Sequence, residues 1–146
     1  MTDRSSRTGR CVCGAVTFEA AETTADVSAC HCGTCRRWGG GPFVDIDGGT
    51  QVHFSGKDHI RIFASSEWAE RAFCGVCGSH LYYRLKSTGT HYMPAGLFDD
   101  QSDFTFSREV FVDEQPHYYG FANPTERFTG PELMALFAGD PPPETE

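Results

Sequence analysis

The sequence predicts an all-β domain of antiparallel strands with one short C-terminal helix, and three observations predict it. Short segments rich in β-branched and aromatic residues recur along the chain, and glycine-containing turns separate them. Only one stretch, near the end, carries helix start and stop residues. At 146 residues the chain suits a single domain able to bury its own hydrophobic core.

Taken in order, residues 1–9 are polar and are expected to form a disordered tail, the domain to span 10–139, and 140–146, with three consecutive prolines from Pro141, to form a second tail. Strands are expected at residues 15–20, 41–47, 51–55, 59–64, 68–73, 80–85, 91–95 and 108–112. Val16 and Phe18 share one side of the first, and Ile60 and Ile62 share one side of another, as half-buried strands require. Asp47-Gly48-Gly49 and Thr88-Gly89 supply turns. Thr129-Gly130-Pro131-Glu132 reads as an N-cap with proline in the first turn, Leu133, Met134, Leu136 and Phe137 as the apolar face, and Gly139 as the stop.

Composition narrows the function. The formal charge of -8 and the scattered basic residues, of which Arg36 and Arg37 are the one adjacent pair, argue against a nucleic-acid partner. No apolar run approaches the roughly 20 residues that span a membrane, and MTDRSSRTGR has no apolar core of a secretory signal. A cytoplasmic protein is expected. In a reducing compartment disulfides are rare, so the seven cysteines point to metal binding.

The cysteines fall into three groups: Cys11 and Cys13, then Cys30, Cys32 and Cys35, then Cys74 and Cys77. Cys74-Gly75-Val76-Cys77-Gly78 can grip one tetrahedral ion from a tight turn. Its missing half must come from a distant part of the chain, and Cys11-Val12-Cys13 offers two thiols on one face of an extended strand. Cys30-His31-Cys32-Gly33-Thr34-Cys35 can wrap three thiolates around a second ion through a loop and a first helical turn. Spacing alone also admits an alternative in which Cys30, Cys32 or Cys35 joins the Cys74 site. A structural zinc takes four protein ligands, whereas a catalytic zinc commonly takes three and keeps a position for substrate.

The stretches Arg10 to Phe18, Cys30 to Arg36 and Phe73 to Leu81 together resemble the family of glutathione-dependent formaldehyde-activating enzymes, the GFA or CENP-V-like zinc domains. The resemblance implies a β-tent of antiparallel sheets and two zinc ions. One would be structural, on Cys11, Cys13, Cys74 and Cys77; the other would be open and catalytic, on Cys30, Cys32 and Cys35. It further implies a carbon-sulfur lyase-type reaction, S-hydroxymethylglutathione synthase-like, whose partners are a small-molecule thiol, with glutathione as co-substrate, and a small aldehyde. With three thiolate ligands an ion is electron-rich, which favours delivery of a thiolate over polarisation of the carbonyl.

Other residues are weighed against this reading. His31, between two ligands, has its ring turned away from them and serves either as a hydrogen-bond partner behind the site or in surface packing. His80 is a substitute ligand only if the partition is different, and Arg36 and Arg37 either clamp a glutathione carboxylate or are simply solvated. Trp38, Phe43 and Phe98 line a pocket near the second metal or fill the core. His53, His59, His91, His117, Glu67 and Glu70 read as ordinary strand and loop residues. A non-catalytic zinc-stabilised binding module and a thiol redox sensor on Cys30, Cys32 and Cys35 are the rival functions.

Overall fold

The computed structural model describes residues 3–136, which form eleven strands and two short helices. β1 (Ser5–Arg10), β2 (Thr17–Thr23) and β5 (Val52–Ser55) make a three-stranded antiparallel sheet in the order β1-β2-β5. The larger sheet has eight strands in the order β11-β10-β3-β4-β9-β8-β7-β6. Its members are β3 (Asp26–Cys30), β4 (Phe43–Asp47), β6 (Ile60–Phe63), β7 (Ala69–Cys74), β8 (His80–Leu85), β9 (His91–Pro94), β10 (Thr105–Val110) and β11 (Glu126–Phe128). Helix α1 (Gly33–Gly39) follows β3, and α2 (Gly130–Leu136) ends the described chain.

The larger sheet is buried on both faces, and each face has its own core. Strand alternation sends Ile46, Ala72, Cys74, Tyr82 and Met93 to one side, where Phe18 and Ala20 of β2 and Val16 just before it cover them. Phe18 meets Phe98 edge-on at 5.2 Å there. Alternate residues of the same strands, among them Cys30, Phe43, Ala69, Tyr83 and Leu85, face the other way and pack with Cys32 and Cys35 of the α1 region and Leu133 of α2. Cys11 and Cys74 thus sit in one core and Cys30, Cys32 and Cys35 in the other, with the sheet between them.

The expected turns and the final helix form for the expected reasons. The Asp47 carboxylate accepts from the Gly49 N–H at 2.8 Å, and Gly49 takes φ of 77°. At the start of α2, Thr129 Oγ1 accepts from the Glu132 N–H at 3.2 Å while Glu132 Oε1 accepts from the Thr129 N–H at 2.8 Å, a reciprocal cap. Gly130 lies against the Phe111 ring, which would meet an added Cβ at 2.7 Å. The expected positions of Phe137 and Gly139 and the tail 140–146 lie outside the described residues.

Four expectations change. Residues 5–9, expected in a disordered tail, form β1 together with Arg10. Backbone pairing with β2 and the Arg7–Asp103 ion pair at 2.8 Å hold a strand with little apolar content of its own. The sheets are antiparallel except that β10 runs parallel to both β3 and β11. Ile62 lies on the edge strand β6 and is 56% exposed, so alternation with Ile60 does not bury it. Phe98 belongs to the core beneath the small sheet, away from the three-cysteine group.

Candidate metal centres and an adjoining cavity

Cys11 lies just past β1, Cys13 in the turn to β2, Cys74 at the end of β7 and Cys77 in the turn to β8. These four sulfurs all lie within 4.8 Å of one another, so the two distant Cys pairs of the sequence meet. Cys11–Cys13 at 3.6 Å and Cys13–Cys74 at 3.8 Å match the edge of about 3.8 Å set by a tetrahedron with metal–sulfur bonds of about 2.3 Å. The turns are tied to each other by the Val12 N–H, which donates to Ser79 Oγ at 3.1 Å. Gly14 and Gly78 take φ of 81° in these turns. Cys11 and Cys74 are buried, whereas Cys13 and Cys77 face solvent.

Cys30 closes β3, Cys32 caps α1 and Cys35 lies in its first turn, with all three buried and their sulfurs within the same 4.8 Å limit. The Cys35 N–H donates to Cys32 Sγ at 3.4 Å, which fixes the helical turn. As bare thiols the three divide one proton-poor state among them. Cys32 is drawn down to about 3 by hydrogen bonds from Cys30 and Cys35. Cys30 is pushed well up by Cys32, Cys35 and burial. In Cys35 the lowering by Cys30 is outweighed by Cys32, burial and the neighbouring charge, leaving it at about 12. Three thiolates at contact distance need a cation to coexist, so both cysteine sets fit a thiophilic metal such as zinc.

His31 is fully buried, which overturns the surface reading of its ring. Burial holds it below its usual pKa, against the pull of Glu109. With the ring neutral, Nε2–H donates to Glu109 Oε1 at 2.9 Å and Nδ1 accepts from the Tyr119 hydroxyl at 2.8 Å. Glu109 also accepts from Thr125 Oγ1 at 2.6 Å and Arg127 Nη1 at 2.7 Å. Burial raises its pKa, but those hydrogen bonds outweigh burial and keep it ionised. The network pins the residue between two cysteines to β10 and the segment before β11.

Beside the three cysteines lies a cavity of about 100 Å³, whose walls include Cys30, Cys35, Phe43, Leu85, Leu133 and two charged residues that sequence reasoning missed, Arg71 and Asp45. Arg71, on β7, is 1% exposed. Its guanidinium carbon is 4.8 Å from the ring centres of both Trp38 and Tyr83, and its Nη2 donates to Cys35 Sγ at 3.6 Å. Asp45 is 7% exposed, and burial first, then Asp47, pushes its carboxyl well above the ordinary range against the pull of Arg108. The available signal was slight: Asp45 stands between the apolar Val44 and Ile46, whereas Arg71 follows Glu70 and reads as an ordinary charged strand residue near the Cys74 pair.

The remaining candidates fall elsewhere. His80 stacks on Trp38 at 3.9 Å and joins neither sulfur group, and Arg36 donates from Nε to the His31 carbonyl at 3.0 Å. Arg37 and Glu67 are exposed, while Glu70 pairs with Arg84 at 3.7 Å. His91 is buried with Nδ1 at 3.2 Å from the Gly49 carbonyl. His53, His59 and His117 belong to no group of metal-binding side chains among the described residues.

A sheet buried on both faces, with one cysteine set suited to a metal ion in each core, defines a small two-centre β-domain. The family profile described as glutathione-dependent formaldehyde-activating enzyme matches residues 6–114, and the chain belongs to that family. It is 35% identical over 127 residues to a Schizosaccharomyces pombe protein named as an uncharacterized lyase, covering 86% of this chain and 93% of that protein. The crystal structure of a Rhodobacter sphaeroides protein is similar in fold, with a TM-score of 0.52 and 22% identity over 63% of this chain and 87% of the other. Among the described residues no helix is long and apolar enough to cross a membrane.

Proposed function

We propose that this protein is a zinc-dependent carbon-sulfur lyase-type enzyme acting on the adduct of a small aldehyde with glutathione or a similar thiol. One observation carries the reading: Cys30 and Cys35 of the three-cysteine set line a small, largely apolar cavity. Family membership and the lyase name of the fission-yeast relative support it. Zinc held by Cys30, Cys32 and Cys35 would supply a coordination position at which a thiol binds as its thiolate.

The chain's own residues do the rest. Phe43, Leu85 and Leu133 limit water around the reacting carbonyl. Arg71 offsets the negative charge of the thiolates from Cys35 Sγ outward. Asp45, whose burial favours the protonated form, gives its proton to the oxygen when the carbon-sulfur bond forms and takes it back when the adduct is cleaved. A wider surface groove of about 420 Å³ shares Phe43 with the cavity and runs past Gly39, His80 and Gly96, giving the thiol's peptide portion a place outside it.

The test combines metal analysis of protein purified without chelator with turnover of glutathione and a small aldehyde. About two zinc ions per chain, with activity lost and one ion kept in Cys35→Ser, is the expected result. One ion in the wild type together with no binding of glutathione overturns the reading.

A further inference from the structure

Arg71 is held in place more tightly than charge balance demands. Trp38 and Tyr83 lie at 4.8 Å on its guanidinium, and Nη2 is committed to Cys35 Sγ. The two remaining donor atoms, Nε and Nη1, are buried without a hydrogen-bond partner, while the side chain forms part of the cavity wall. Buried polar groups are almost always paired, and folding has ordered these two without satisfying them. A group that arrives in the cavity and accepts a hydrogen bond would satisfy one of them.

The cavity limits what that group belongs to. A cavity of about 150 Å³ is enough for benzene, so the one here, about 100 Å³, takes a molecule of a few non-hydrogen atoms and excludes a tripeptide. Its walls are mainly apolar, and a carboxylate-bearing ligand would bring a further negative charge beside three cysteines. Arg108, the other cation on the wall, is exposed and lies over Phe128 at 5.5 Å. A neutral carbonyl compound fits both size and charge, and its oxygen is a matching acceptor for the unpaired Nε–H.

Resting on the lyase reading, we propose that Arg71 receives the carbonyl oxygen of a small uncharged aldehyde and stabilises the negative charge that develops there. The thiolate sulfur bonds to the carbonyl carbon, and the carbon–oxygen π pair moves to oxygen, where the free Nε–H faces it. That oxygen then takes the Asp45 proton, and the proton the thiol lost restores Asp45, so thiol plus aldehyde balance the hemithioacetal. The reverse step returns the proton and breaks the carbon–sulfur bond. Pre-aimed donors at a developing oxyanion commonly account for about 100-fold to 1,000-fold in kcat.

Two measurements on the zinc-loaded protein test this. In nitrogen-15 NMR of the wild type, formamide, a neutral carbonyl compound that does not react, should shift the Arg71 Nε–H resonance in a saturable way. In kinetics, Arg71→Lys should keep its zinc and lower kcat by about 100-fold or more, and acetaldehyde should be preferred over glyoxylate. No formamide shift, wild-type kcat in Arg71→Lys, or a preference for glyoxylate overturns the proposal, since a lysine that suffices shows charge balance alone. If the wild type turns over no thiol and aldehyde yet formamide shifts Arg71, the carbonyl site stands and the lyase reading falls. If turnover is normal without the shift, the lyase reading stands and the site falls.

Discussion

Asp45 is a buried carboxyl whose ionisation opposes folding. Its neighbours across the sheet are Ser28 on β3 and Pro94 on β9, with Asp47 on its own strand raising its pKa further and the Arg108 cation pulling it down. Because its folded pKa lies well above the ordinary value of about 3.9, the folded state holds a proton that the unfolded chain releases. The associated penalty is absent below the unfolded pKa, grows as pH rises from there, and is complete above the folded pKa. Asp45→Asn should therefore be more stable than the wild type by a margin that widens with pH and then levels off, while kcat falls about 100-fold with the proton lost. Thermal melts from pH 5 to pH 9 check the sign, and a margin independent of pH would refute it. Asp45 escaped sequence reasoning because a carboxylate in a strand ordinarily marks the solvated face, whereas β4 is covered on both sides: Ile46 is fully buried beside it.

At the scale of elements, the hinge of the three-cysteine set is the junction of β3 and α1, held from behind by β10. His31 N–H donates to the Val110 carbonyl at 3.1 Å, and its ring is bound to Glu109 on the same strand. Replacing Glu109 by Gln puts an amide donor among the N–H and O–H donors of His31, Thr125 and Arg127. One of them must go unpaired, at a cost of about 1–3 kcal/mol. The looser junction should also weaken metal binding at Cys30, Cys32 and Cys35 by about 10-fold to 100-fold. Urea midpoints and a competing zinc chelator read the two effects, and unchanged metal affinity would reduce the network to a purely structural role. The sequence showed the cysteines of this junction plainly, since Cys-x-Cys-x-x-Cys is a local signal. It hid the strap, because Glu109 is 78 residues from His31 and reaches it only through the parallel β3–β10 pairing. Strands β1 and β11 were hidden likewise, since polar residues or brevity leave them without alternation and their partners make them strands, while the alternation of β3, Val27 and Ala29 beside Asp26 and Ser28, is too short to stand out.

At the scale of the molecule, the four-cysteine centre joins two sheets that otherwise meet through side chains and a few backbone contacts. Cys11 and Cys13 belong to the β1–β2 turn of the small sheet, Cys74 and Cys77 to the β7–β8 turn of the large one. Elsewhere the small sheet is tied by the Gly9–Phe98 bridge, the Asp99 N–H donating to the Thr8 carbonyl at 3.0 Å, and the Arg7–Asp103 pair. Sequence reasoning paired these distant cysteines because neither pair can close a tetrahedral site alone, although the two-sided sheet that separates the centres left no periodic trace. Apparent binding free energies of structural zinc sites in peptides run about 10–16 kcal/mol, comparable with the whole stability of a domain, about 5–15 kcal/mol. Losing this ion should remove most of the net stability, since Cys74 is fully buried and its thiol is exchanged for a poor ligand in Cys74→Ser. The variant should lose its cooperative thermal transition and its amide dispersion, whereas Cys35→Ser should keep both, because sheet contacts on its face do not depend on the helical turn it closes. Calorimetry and nitrogen-15 spectra of the two variants at matched zinc decide the matter: equal unfolding in both would mean that the centres share the work of holding the fold, and would overturn their separation into a structural site and a reactive one.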